Sequence, residues 1–221
     1  MGLSILLKDE LRGFYKSSIM IILWIGLPLV SFLLHFINFQ DKLTYSFSIF
    51  FATVVSSLGG TLASILLAVY IVHEKSKNVY ALFLVRPIKR SNILFAKFFA
   101  VFFCIAIAII ISISLGIFID YLKYGEVNDN IVYTTFETFF LSLFSISVAC
   151  STGILIGVIS NSVLVAVLII VFLTSNLSAL AIMLPLLITS VHPLITSGVS
   201  SAILTIIFMF ASIWDFRRRQ F

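Results

Sequence analysis

Charge is scarce in this chain. Only 10% of its 221 residues are Asp, Glu, Lys or Arg, 61% are hydrophobic, and mean hydropathy is +1.21. A soluble domain carries about 25% charged residues, so the composition excludes a soluble globular protein and places the chain in a membrane. The two cysteines, Cys104 and Cys150, fall at different depths of different apolar runs. No disulfide is expected between them, and both read as buried free thiols that pack as small hydrophobes. The sequence has no G-x-x-x-x-G-K-[ST] loop to cradle phosphates, no zinc-protease motif, no cluster of metal ligands and no dinucleotide fingerprint. The expectation is a chain that is not an enzyme, holds no metal or cofactor of its own, and does not hydrolyse ATP by a phosphate-loop route.

Ionisable groups are also missing where membrane chemistry would need them. Charged side chains are costly inside the bilayer and are kept there when they work. No acidic or basic residue falls in the central part of any apolar run, and His35, His192 and Glu137 are expected near the outer surface. This scarcity argues against an intramembrane protease and against an ion-coupled carrier. Asn176 is the one strongly polar side chain near the middle of a run. Two readings stay open for it: a hydrogen bond across helices, or a place on a substrate path.

What the chain does have is length of apolar sequence. An uncharged run of about 20 residues crosses the hydrocarbon as a helix, because its backbone polar groups cannot reach water there. Six such runs are present, at 18–37, 49–72, 98–119, 138–159, 163–183 and 195–214. The predicted fold class is therefore all-α: one polytopic transmembrane domain over residues 1–221 with six transmembrane helices.

Residues 1–16 place Leu3, Leu7, Leu11 and Phe14 on one helical face and Lys8, Asp9, Arg12 and Lys16 on the other, the pattern of an amphipathic elbow lying in the membrane surface. The run that follows is too long for a signal-peptide h-region and has no small-residue cleavage pattern. Leu6 also stands where a myristoylation signal needs Ser or Thr. Segment 184–198 is apolar but broken by Pro185, Pro193 and Gly198, and reads as re-entrant or interfacial.

Lys and Arg beside spans stay on the cytoplasmic side. Twelve of the 14 basic residues fall in the N-terminal segment, in the connector between spans two and three, or in the tail at Arg217, Arg218 and Arg219. Six crossings put those three segments on one face, so both termini are expected in the cytoplasm, with the protein multi-pass in the cell membrane. The basic balance then serves topology and membrane lipid headgroups, and gives no argument for nucleic acid.

Small residues are better organised than polar ones. Ser145, Ala149, Gly153 and Gly157 recur every four residues in span four, and Ser56, Gly60 and Ser64 do so in span two. Such stripes let helices approach closely, with the partner helix lying either in this chain or in a second copy.

The connector 73–97, HEKSKNVYALFLVRPIKRSNILFAK, is the one elaborate polar segment. Its middle places Tyr80, Phe83 and Leu84 on one helical face, Pro87 stops that helix, and Ser91 is suited to cap the next. The pattern predicts a short amphipathic helix at the membrane surface, able to lie in headgroups or to enter a groove on a soluble partner.

Glu74, the helix at 80–85, Arg86-Pro87, Arg90 and Lys97 give this connector a form that resembles the membrane subunits of ATP-binding-cassette transporters, specifically the type 2 exporter permease family. The elbow KDELRGFYKS, the six spans, the short turn at 160–162 and the broken segment before span six extend the resemblance over essentially the whole chain. One departure is Asn78-Val79 in place of a Gly-Thr pair. The resemblance implies a cytoplasmic coupling helix, with Glu74, Tyr80, Leu82, Phe83, Leu84, Arg86, Pro87 and Arg90 at the contact with a separate ABC ATPase subunit. ATP and Mg²⁺ would then bind that partner, and the permease would work as a homodimer or as a heterodimer with a related permease. The alternatives are a membrane scaffold or sensory subunit docking another soluble partner and, third, an ion-coupled carrier.

Overall fold

A computed structural model describes residues 3–15, 18–38, 47–77, 90–124, 129–186 and 193–218. They form seven helices: α1 (Leu3–Tyr15), α2 (Ser18–Asn38), α3 (Phe47–Ser76), α4 (Arg90–Tyr124), α5 (Asp129–Ile159), α6 (Val163–Leu186) and α7 (Pro193–Arg218). There is no strand among the described residues. Four helices are long and apolar enough to cross a membrane, over Ile49–Ser76, Ser91–Leu122, Val132–Ile159 and Leu194–Phe216. The count becomes five if the bent α1–α2 pair is taken as one span, and α6 adds a shorter apolar stretch, Val163–Thr174. By length and composition this is a helical membrane protein.

Several helices extend well past the runs read from hydropathy. α3 has 30 residues and α4 has 35, or roughly 45 and 52 Å at about 1.5 Å per residue, against about 30 Å of hydrocarbon. The polar residues His73 to Ser76 continue α3, and Arg90 to Lys97 open α4, so both ends of the connector are helical stalks. Ser91 sits inside the first turn of α4, one residue past its start. The predicted break at 184–198 is narrower in its described part: α6 runs to Leu186, and α7 opens on Pro193, whose missing N–H costs nothing at a helix start. Residues 187–192 lie outside the described set.

The described side chains of α1 divide by face. Phe14 is buried, Leu6, Leu7 and Leu11 are half-buried, and Lys8, Asp9 and Arg12 are exposed. Its axis turns by 61° into α2, and its apolar face packs against α4.

Register along the helices gives their directions. Ser142 approaches the Ala52 carbonyl, Ala149 lies beside Gly60, Gly153 beside Ser64 and Gly157 beside Ala68, so α3 and α5 run the same way. Phe144 lies beside Gly198, and Ser147 meets Thr205 at 3.3 Å, so α7 runs with α5. α4 runs against α3, with Lys97 at Glu74 and Ile105 at Gly59. α5 is the central helix, in contact with α3, α4, α6 and α7.

The two small-residue stripes therefore meet each other inside one chain. A Cβ built on Gly153 would stand 2.6 Å from both Cα and O of Ser64, and one on Gly157 would stand 2.9 Å from Cα of Ala68. Lipid tails give apolar helices no reason to prefer each other over solvent, so close packing of this kind is a principal source of cohesion.

Candidate functional site

Lys97 lies in the second turn of α4, in the apolar sequence Phe95-Ala96-Lys97-Phe98-Phe99, and its side chain is 1% exposed. A buried ammonium is tolerated only where it is paired and hydrogen-bonded. Two carboxylates from two other helices meet it: Glu10 Oε1 of α1 at 2.9 Å and Glu74 Oε1 of α3 at 2.8 Å. Below it the ring of Tyr70, one turn before Glu74, places its centroid 4.0 Å from Nζ, a cation–π contact strengthened by the loss of water. Phe14, one turn after Glu10, packs on the same tyrosine at 5.4 Å between ring centroids. Elbow, α3 and α4 are thus tied at one point. Glu74 Oε2 is buried with no hydrogen-bond partner, so the cluster holds a spare acceptor.

The next residue of α3 reaches the other side of the bundle. Lys75 Nζ donates to the Ser160 carbonyl at 3.1 Å and to Asn161 Oδ1 at 2.6 Å, with the Val158 carbonyl at 3.5 Å. The last carbonyls of a helix lack intrahelical partners and carry the negative end of its dipole, so a cation there satisfies both needs. Successive residues on a helix point about 100° apart. Glu74 and Lys75 therefore fasten the end of α3 to α1 and α4 on one side, and to the α5–α6 turn on the other.

Of the residues the sequence singled out, Glu74 lies in the ion cluster. Tyr80, Leu82, Phe83, Leu84, Arg86 and Pro87 lie outside the described residues. Arg90 opens α4, and its side chain also lies outside the described set. Asn176 is exposed on α6, and its Nδ2 donates to the Phe172 carbonyl of its own helix at 2.6 Å, the local back-bond of a polar side chain. Among the described residues it joins no second helix.

Glu10 and the role of Lys97 were missed by sequence reasoning, although a signal existed for each. Glu10 is three residues after Leu7 and four before Phe14, so it falls on the apolar face of the elbow. Lys97 is a lone cation in an aromatic run. Each needed the other to make sense.

A second feature is an apolar groove of about 420 Å³ between α2, α3 and α4, whose walls include Trp24, Pro28, Phe32, Phe51, Ile111 and Leu115. The Trp24 indole N–H already donates to the Cys104 carbonyl at 2.9 Å, so the groove suits only apolar chains. Among the described residues no group of three or more His, Cys, Asp or Glu is placed to hold a metal ion.

A scan of family models finds none that matches this chain, and a search of curated proteins finds no match either. Neither comparison identifies a family for the chain.

Proposed function

We propose that the chain is the transmembrane permease subunit of an ABC transporter of the exporter type, with the connector between α3 and α4 docking a separate ATPase subunit. The observation that carries this reading is the ion pair between Glu74 and Lys97, which joins the two stalks of the connector 23 residues apart. A segment that only links two spans needs no such junction. One that takes up force from a soluble partner needs its two ends held in one frame.

Further support comes from helix direction. α3, α5 and α7 run together and α4 runs against them, which agrees with six crossings and with both termini on the connector side, the cytoplasmic side by the distribution of basic residues. ATP-driven closure of two ATPase subunits would displace the connectors of two permease copies, identical or related, and packed helices would convert that displacement into alternate exposure of a path. The uncharged spans suit a hydrophobic or amphipathic substrate. Residues Tyr80, Leu82, Phe83 and Leu84 would present the docking face, with Arg86, Pro87 and Arg90 at its rim.

The test is affinity purification of the tagged chain from native membranes in mild detergent, followed by mass spectrometry of associated proteins. The expected result is an ATPase with a Walker motif that accompanies the wild type and is lost with Leu84→Asp plus Arg86→Glu. If no ATPase accompanies an intact oligomer, the permease reading fails, and a scaffold docking a different soluble partner takes its place.

A further inference from the structure

We propose that Lys97 and Lys75 are coupling residues that make the connector end of α3 a lever, carrying the elbow α1 and the α5–α6 turn along with the connector. This rests on the docking role proposed above and adds to it the route by which a displacement leaves the connector. The geometry assigns each lysine its own branch. Lys97 joins α3 to α4 through Glu74 and to α1 through Glu10. Lys75 joins the same turn of α3 to the last carbonyls of α5 and to Asn161.

The chemistry of the two branches differs in a way that makes them separable. The Lys97 branch is a buried charge cluster among three helices, with Tyr70 beneath it. Its geometry is strongly specified, because Lys97 is 1% exposed and an ammonium that left both carboxylates would stay buried without a partner. The Lys75 branch is a cation capping a helix end, part-buried and reaching an exposed Asn161. Further along the helices, α3 and α5 are also fixed by backbone contact at Ser64 with Gly153 and Ala68 with Gly157. The elbow rests on α4 and meets α3 through side chains, the Phe14–Tyr70 rings and the Lys97 cluster, and of these the Lys97 cluster is the polar link that ties Glu10 to Glu74 and brings the elbow into the same movement.

The experiment is hydrogen exchange by mass spectrometry on the full chain in lipid nanodiscs with its co-purifying ATPase, with and without ATP, Mg²⁺ and orthovanadate. In the wild type, trapping nucleotide should change exchange at the connector, at residues 3–15 and at residues 156–166 together. Lys97→Met should lose the response at 3–15 and keep the one at 156–166. The triple variant Glu10→Gln, Glu74→Gln, Lys97→Met removes the charges without leaving any unpaired, and should give the same selective loss in a stable protein. Lys75→Met should lose the response at 160–166, beyond the Gly157 contact, and keep the one at 3–15. The exchanged pair Glu74→Lys with Lys97→Glu keeps two carboxylates around one ammonium and should return the response at 3–15.

A response at 3–15 that survives in the triple variant would falsify the assignment of Lys97. Loss of both responses together in Lys75→Met would overturn the division into branches. A connector that responds while both other segments stay silent in the wild type would overturn the lever and leave the docking role standing. No response anywhere with the ATPase bound would overturn both.

Discussion

Lys97 Nζ lies 2.8 Å from Glu74 Oε1, and the same nitrogen holds Glu10 at 2.9 Å, so one buried ammonium serves carboxylates from two other helices. Lys97 is 1% exposed, and Glu74 and Glu10 are 13% and 18% exposed. Removing one member of a buried ion cluster leaves the others unpaired in a poor solvent, at a cost of about 3–5 kcal/mol. Lys97→Met should lose stability on that scale, since it also brings two carboxylates face to face. Glu10→Gln with Glu74→Gln and Lys97→Met should recover most of it. Reversible unfolding of the three proteins in mixed micelles measures both, and equal losses in the single and triple variants would show that charge pairing is not what holds this junction.

Lys75 is predicted to matter less and more locally. Its ammonium caps the end of α5 through the Ser160 carbonyl and Asn161, and a cation at a helix C-terminus contributes up to about 2 kcal/mol where it is partly buried. Lys75→Met should raise amide exchange at residues 156–162 and leave α1 unchanged. Lys75→Arg should retain most of the protection, because the guanidinium is also a cation with several donors. Exchange rates that do not move at 156–162 would show that the backbone bond from Ser160 N–H to the Ile156 carbonyl, at 2.8 Å, is sufficient there.

Hydropathy and small-residue spacing made much of this fold legible. The apolar runs around residues 49–72 and 98–119 are the middles of α3 and α4, because a helix in lipid must satisfy its own backbone. The stripes through Gly60, Ser64, Gly153 and Gly157 mark the α3–α5 seam, although only the structure says that the partner is in the same chain. Helix ends were less legible: His73 to Ser76 read as connector, yet α3 carries on through them because packing, not hydropathy, decides where a helix stops once it leaves the hydrocarbon. The junction was legible only in pieces. Glu10 and Lys97 are 87 residues apart, and no local pattern pairs a carboxylate on one apolar face with a cation in a distant aromatic run.

Both cysteines should be silent to thiol reagents in the folded protein. Cys104 and Cys150 are free and buried, at 2% and 0% exposure, and a thiol reacts as its thiolate, which needs access to solvent or to a nearby positive charge. A membrane-permeant maleimide should therefore label neither residue in native membranes and both after denaturation in detergent. Labelling of Cys150 in the native state would place solvent beside α5 at the level of the Gly153 contact.

The two small-residue contacts between α3 and α5 are not equivalent, and this is open to a direct comparison. At Gly60 an added methyl would meet the Cβ of Ala149 at 3.4 Å, an ordinary van der Waals distance. At Gly153 it would meet the backbone of Ser64 at 2.6 Å, where no side chain is free to turn aside. Gly60→Ala should be close to neutral or slightly stabilising, since alanine loses less backbone entropy in a helix by about 0.5–1 kcal/mol. Gly153→Ala must push two helices apart, and overpacking of this kind costs about 1–3 kcal/mol or more. The displacement would spread along the seam to Gly157 and to the Lys75 contact at its end. Unfolding of the two variants side by side tests the argument: similar stabilities would mean that the helices approach less closely in the bilayer than the Gly153 contact requires.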